Sequence, residues 1–126
     1  MLTLKLLAGR YAVCKLEPDA AVPSTLTLGA QAFLSITRTA DELSIVCPEA
    51  LAPMDAEVND GWCAFKVQGP LDFSLTGIIA ALTGPLAEAK ISVFTVATFD
   101  TDYLLVREKD LEGAISALER ISRVQR

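Results

Sequence analysis

The sequence predicts an α+β protein made of two unequal copies of a β-α-β-β-α unit, and three observations carry that expectation. Residues 32–51 (AFLSITRTADELSIVCPEAL) and 92–111 (SVFTVATFDTDYLLVREKDL) align without gaps. Each holds an apolar-alternating strand, a Thr/Asp turn, a second strand and an acidic, helix-like start ending in Leu. Upstream, residues 11–16 (YAVCKL) resemble residues 62–67 (WCAFKV). Third, 126 residues that are 52% hydrophobic supply ample core and argue against disorder. The alternative is one irregular α+β sheet without a repeat.

The elements follow in order. Residues 2–7 are apolar and short, with no basic segment before them, so they read as an extra strand rather than a signal peptide. Strands are expected near 11–16, 32–36 and 43–46. Pro18, Pro23 and Gly29 leave room for only a short turn near 24–28. In the second copy, strand 62–67 leads into the loop 68–73. A helix then carries Leu75, Ile78, Ile79, Leu82 and Leu86 on one face. Gly84-Pro85 should kink or restart it, because proline cannot donate its backbone hydrogen bond. Strands are expected at 91–98 and 103–107, with the turn at Asp100-Thr101. A last helix, 109–122, shows Leu111, Ala114, Ile115, Leu118 and Ile121 on one face. Acidic residues at its start and Arg120 and Arg123 near its end suit the helix dipole.

Charge and composition exclude several functions. The net charge of −5 repels phosphate backbones, so nucleic acid is not an expected partner. No apolar run is long enough to span a membrane, and no polybasic anchor exists. The chain has no histidine, which removes the commonest general base and metal ligand and excludes Ser-His-Asp and Cys-His mechanisms. Cys14, Cys47 and Cys63 lack C-x-x-C spacing, so neither a disulfide framework nor a metal site is expected. They read as reduced, buried thiols of a cytoplasmic protein. No catalytic residue, metal or cofactor is expected, and the protein is read as not an enzyme.

Two stretches could carry function. The first is Gly69-Pro-Leu-Asp-Phe-Ser-Leu-Thr-Gly-Ile78, a loop that turns into a helix. N–H groups at a helix start lack intrahelical partners and, with the dipole, form an anion site. Asp72 or Ser74 could cap the helix, and Gly77 could allow close approach of a ligand or a neighbouring backbone. An ordinary capped helix, with a glycine tolerated for packing, is the alternative. The second stretch is residues 94–102, FTVATFDTD, where Asp100 and Asp102 could receive an ammonium group. A solvated turn is the alternative there.

Residues 69–79 (GPLDFSLTGII) and 91–106 (ISVFTVATFDTDYLLV) resemble an ACT domain of the type found in animal cytosolic arginine sensors and small bacterial relatives. Residues 33–39 (FLSITRT) and 41–48 (DELSIVCP) resemble the companion N-terminal module of those bacterial proteins. The resemblance implies two tandem ferredoxin-like βαββα(β) modules with antiparallel sheets and helices on one face: a degenerate module over 1–58 and an ACT domain over 59–126. It further implies a free amino acid held at a module interface, with Asp72, Phe73, Ser74, Leu75, Thr76, Gly77, Thr98, Phe99 and Asp100 as the ligand-binding set. The loop before the first helix in such domains usually reads Asp-x-Pro-Gly; here it is Ser74-Leu-Thr-Gly77, in which only the glycine matches. The implied partners are the amino acid, a second copy in a homodimer, and an unidentified protein that reads the bound state. A structural dimerisation module that binds no ligand is the alternative.

Overall fold

Alternation of apolar residues sets the strands. The computed structural model describes residues 2–29, 31–69 and 76–126. The strands are β1 (Leu2–Leu6), β2 (Tyr11–Leu16), β3 (Ser35–Arg38), β4 (Leu43–Pro48), β5 (Glu57–Val67), β6 (Val93–Ala97), β7 (Asp102–Arg107) and β8 (Ser122–Gln125). The helices are α1 (Ser24–Thr27), α2 (Ile78–Glu88) and α3 (Leu111–Leu118). Short 3-10 turns occupy Glu49–Leu51 and Glu108–Asp110. The chain divides into two compact units, Gly9–Trp62 and Met1–Ala8 with Cys63–Arg126.

In the first unit the strand order is β3-β4-β2-β5, using the first half of β5. Opposed pairs Ala12↔Cys47, Cys14↔Ile45 and Leu16↔Leu43 put all six side chains on one face. With Leu26 of α1 they form the core of this unit. The short α1 starts after Pro23 and stops before Gly29, whose φ is +84°, and buries Leu26 against that face. Arg38 reaches back from β3 to donate to the carbonyls of Pro18 and Ala20, which ties down the β2–α1 connection. The register of β2 against β5 shifts after Tyr11↔Trp62. There Gly61 takes φ +79°, and its N–H donates to the Glu49 carboxylate at 2.7 Å. An extra residue with positive φ is the usual way to bend a strand.

In the second unit the order is β8-β1-β5-β7-β6, using the second half of β5. Leu4, Phe65, Val67, Leu104 and Val106 face Leu82 and Leu86 of α2 and Ile115 and Leu118 of α3 in a single cluster. Both helices therefore lie on one face. From β5 onward the chain runs strand-helix-strand-strand-helix-strand, the ferredoxin-like order. The first unit repeats it from β2, with the turn Glu49–Leu51 standing where the second helix would be. The pairings β1–β5, β2–β4, β2–β5, β3–β4 and β6–β7 are antiparallel, while β1–β8 is parallel. The expected cut after residue 58 lies inside β5. β1 goes with the second unit because its Leu4 is fully buried there.

Several further expectations differ from the structure, among them the strand near 32–36, which the structure places at Ser35–Arg38. The last helix stops at Leu118 rather than Ser122. The Leu118 carbonyl accepts the Ile121 N–H at 3.1 Å and the buried Ser122 hydroxyl at 2.6 Å, and the chain then extends as β8. Ile121 is consequently exposed. The restart at Gly84-Pro85 does not occur, because α2 continues through Pro85. Leu82 and Leu86, both fully buried, hold the turns on either side. Ala81, whose carbonyl loses its donor, is exposed, so water can replace the bond. Finally, Ile79 is 36% exposed, so the buried stripe of α2 is narrower than its sequence implied.

The three cysteines are free and buried. Burial pushes the Cys47 thiol up to about 12, and the neighbouring Cys14 sulfur adds to the rise. Cys14 is also raised by burial, partly offset by a hydrogen bond from Cys47. Below the unfolded value of 9.0 both states keep Cys47 neutral. Above it only the unfolded chain ionises, so stability falls between pH 9 and 12, by at most about 1.4 kcal/mol per pH unit for one group. Urea unfolding midpoints of the native protein should therefore hold to about pH 8.5 and then decline. Cys47→Ala should decline less steeply; parallel curves would assign the loss to other groups.

Candidate functional site

The β6–β7 hairpin positions the second stretch. Its ladder runs from Val93↔Val106 to Ala97↔Asp102. Thr98 and Thr101 close the turn. The Thr98 N–H donates to the Thr101 carbonyl at 2.8 Å, and its hydroxyl donates to the same carbonyl at 3.0 Å. The Thr98 hydroxyl also accepts the Thr101 N–H at 3.3 Å. Phe99, which is 80% exposed, and Asp100, also exposed, stand at the tip. Asp102 is half-buried at the start of β7.

Thr101, only 5% exposed, is the residue that sequence reasoning missed. Its hydroxyl donates to the carbonyl of Val67, the last residue of β5, at 2.6 Å. The acceptor lies far away in sequence, so the sequence shows only a turn threonine.

The first stretch begins where β5 ends. Asp72, Phe73, Ser74 and Leu75 lie outside the described residues, as does the expectation that Asp72 or Ser74 caps the helix. Thr76 is exposed and Gly77 is the N-cap of α2, with φ +76° and no side-chain cap bond. The Gly77 carbonyl accepts the Ala81 N–H at 2.9 Å. Helix geometry leaves the N–H groups of Ile78, Ile79 and Ala80 without intrahelical acceptors. No acidic side chain occupies the first turn, so none of its own residues there offsets the positive end of the helix. Among the described residues nothing lies within 4 Å of a Cβ placed on Gly77. Its positive φ alone favours a glycine there.

The Thr101–Val67 bond therefore roots the turn Thr98–Asp100 at the point where the chain enters the segment ending at Gly77. Among the described residues no group of three metal-ligating side chains occurs, and no helix is long and apolar enough to cross a membrane. A separate groove of about 360 Å³ lies in the first unit between α1 and residues 50–55, and none of the expected ligand residues lines it.

A side chain at Gly77 must adopt a left-handed backbone, which costs about 1–2 kcal/mol for most residues and less for asparagine. Gly77→Val should lower unfolding stability by about that amount, and Gly77→Asn by a smaller one. Equal losses in urea titrations would show that φ is not the constraint.

Comparison with known proteins identifies the family. Residues 57–120 match the model of an ACT domain. Residues 9–55 match a second family model, described as an N-terminal domain. The human cytosolic arginine sensor for mTORC1 subunit 1 is 31% identical over 103 residues, covering 78% of this chain and 31% of that protein. The chain thus spans about a third of that relative's length. The crystal structure of protein Atu0741 from Agobacterium tumefaciens superposes with a TM-score of 0.88 at 43% identity, covering 98% of this chain and 91% of that one. The regulatory subunit of aspartate kinase from Thermus thermophilus shares the fold, with a TM-score of 0.65 at 13% identity over 93% of this chain and 95% of that one. With its C-terminal half matching the ACT model and its strands in ferredoxin-like order, this chain belongs to the ACT-domain family.

Proposed function

We propose that this protein is a regulator that senses a free amino acid. The observation that carries the reading is the Thr101–Val67 bond, which roots the turn Thr98–Asp100 at the end of β5, from where the chain continues towards Gly77 at the opening of α2. The amino acid's carboxylate would take the N–H groups at the opening of α2, with Asp72, Phe73, Ser74, Leu75, Thr76 and Gly77 forming its wall. Its amino group, or a basic side chain, would face Thr98, Phe99 and Asp100 and nearby strand carbonyls. The relative named as an arginine sensor makes arginine the first ligand to try. The chain has no histidine, which supports a regulator over an enzyme. We read the two units as unequal copies of one module and place the protein in the cytoplasm. Binding would shift packing between modules or protomers, and a partner protein would read the shift.

A ligand that prefers the folded state raises its stability by RT ln(1 + [L]/Kd), about 2.7 kcal/mol at a hundredfold excess over Kd. Screened at millimolar concentration, one or a few L-amino acids should raise Tm and give a calorimetric binding isotherm. If none binds to folded protein, the chain is a structural dimerisation module instead.

We also propose a homodimer. Among the described residues β3 and β6 each pair on one side only, and Ile36 on β3 and Phe99 beyond β6 are exposed. Open edges invite pairing with another chain, and a two-fold partner is the commonest solution. Light scattering should give about twice the 13.5 kDa chain mass at micromolar protein. A mass of one chain up to millimolar protein would refute the dimer.

A further inference from the structure

We propose that Thr101 is a positioning residue that fixes the direction in which the chain leaves β5, and that ligand affinity at the site proposed above depends on it. This rests on the sensor reading for its binding half only. The Val67 carbonyl and the Gln68 N–H belong to one peptide group, which is planar and points them in opposite directions. The carbonyl accepts the Thr101 hydroxyl at 2.6 Å, and the N–H donates to the Thr3 carbonyl at 2.8 Å. One peptide plane is thus gripped from both sides, by the turn before β7 and by β1. Segment 68–77 starts from that plane.

Thr101 and Ser122 are the buried polar residues among those described. Ser122 is accounted for by closing α3. Thr101 does something different, because the ladder bonds of β7 begin one residue later at Asp102. Its hydroxyl extends the contact with β5 beyond the strand's end by a side-chain bond. The same residue closes the hairpin turn, since its carbonyl accepts both donors of Thr98. The turn and the root of the segment therefore move together.

Thr101→Val keeps the shape, removes the hydroxyl and takes its hydrogen bond from the carbonyl of the buried Val67. Thr101→Ser keeps the hydroxyl. Hydrogen exchange at the Gln68 and Gly69 amides, measured without ligand, should accelerate in Thr101→Val and return towards the native rate in Thr101→Ser. Arginine, or whichever amino acid the screen selects, should bind about tenfold more weakly to Thr101→Val, the scale of one lost buried hydrogen bond, and near normally to Thr101→Ser. Unchanged exchange at Gln68 in a folded Thr101→Val protein overturns the clamp. Equal affinities in all three proteins overturn the link to binding. If the native protein binds no amino acid, the sensor reading and the binding half fail together, and exchange still decides the clamp. Should Thr101→Val not fold, the native protein decides alone. A Thr101 hydroxyl proton protected from water, with a nuclear Overhauser contact to Val67, supports the clamp, and one in fast exchange refutes it.

Discussion

The apolar layer around Phe65 is the constraint on which the second unit depends. Phe65 and Val67 are fully buried, and β5 can bury them only if both helices and a neighbour on each side close around it. β7 supplies Leu104 and Val106 on one side, and β1 supplies Leu4 on the other. Burying a side chain of this size gains about 1.5–3 kcal/mol, enough to recruit a strand from the far end of the sequence. Once β1 is in place its outer edge is free, and the last strand, β8, completes it. The helix lengths follow from the same layer. α3 ends where its buried stripe ends, at Leu118, and α2 tolerates Pro85 because Leu82 and Leu86 are already committed to the core.

The sequence made the periodic parts of this fold legible. Residues 43–48 and 102–107 alternate or run apolar in the way that half-covered strands must, and the structure forms β4 and β7 there, each paired with the strand before it. What it hid were choices made by distant partners. Ile121 continues the helical spacing of Leu118, so nothing local marks the switch to β8; the switch needs β1 as a template and the Ser122 hydroxyl as a stop. Ile79 sits at a helical position beside Ile78, yet the stripe facing the core is only wide enough for Ile78, Leu82 and Leu86. Proline at 85 looks like a break because its cost is local and visible, whereas the packing that outweighs it is neither.

The site divides in the same way. Asp100 is recognisable as a turn residue from its own composition, whereas Thr98, expected as the end of a strand, closes the turn with Thr101 beyond the last ladder pair at Ala97. Gly77 was legible as a position that only glycine suits, and the structure adds its left-handed backbone. Thr101 escaped notice because a threonine in a turn is ordinary. Its importance comes from a carbonyl on another strand, and only the folded chain brings the two together. Side-chain-to-backbone bonds of this kind fix loops without leaving a pattern in sequence.

The parallel pairing of β1 with β8 also imposes an order of events on a chain emerging from the ribosome. Leu2–Leu6 is made before the rest of the described chain, but the neighbour that completes its ladder, Ser122–Gln125, is made after nearly everything else described. Gly9–Trp62 is whole long before that and can build its own core while synthesis continues. β1 meanwhile waits with one edge or both unpaired. The entropy cost of closing so long a loop grows only slowly, by about 0.6 kcal/mol for each doubling of length, so the pairing is affordable at equilibrium; the burden is temporal. During the interval an apolar strand stands exposed to other nascent chains, the period in which such edges are most prone to wrong partners.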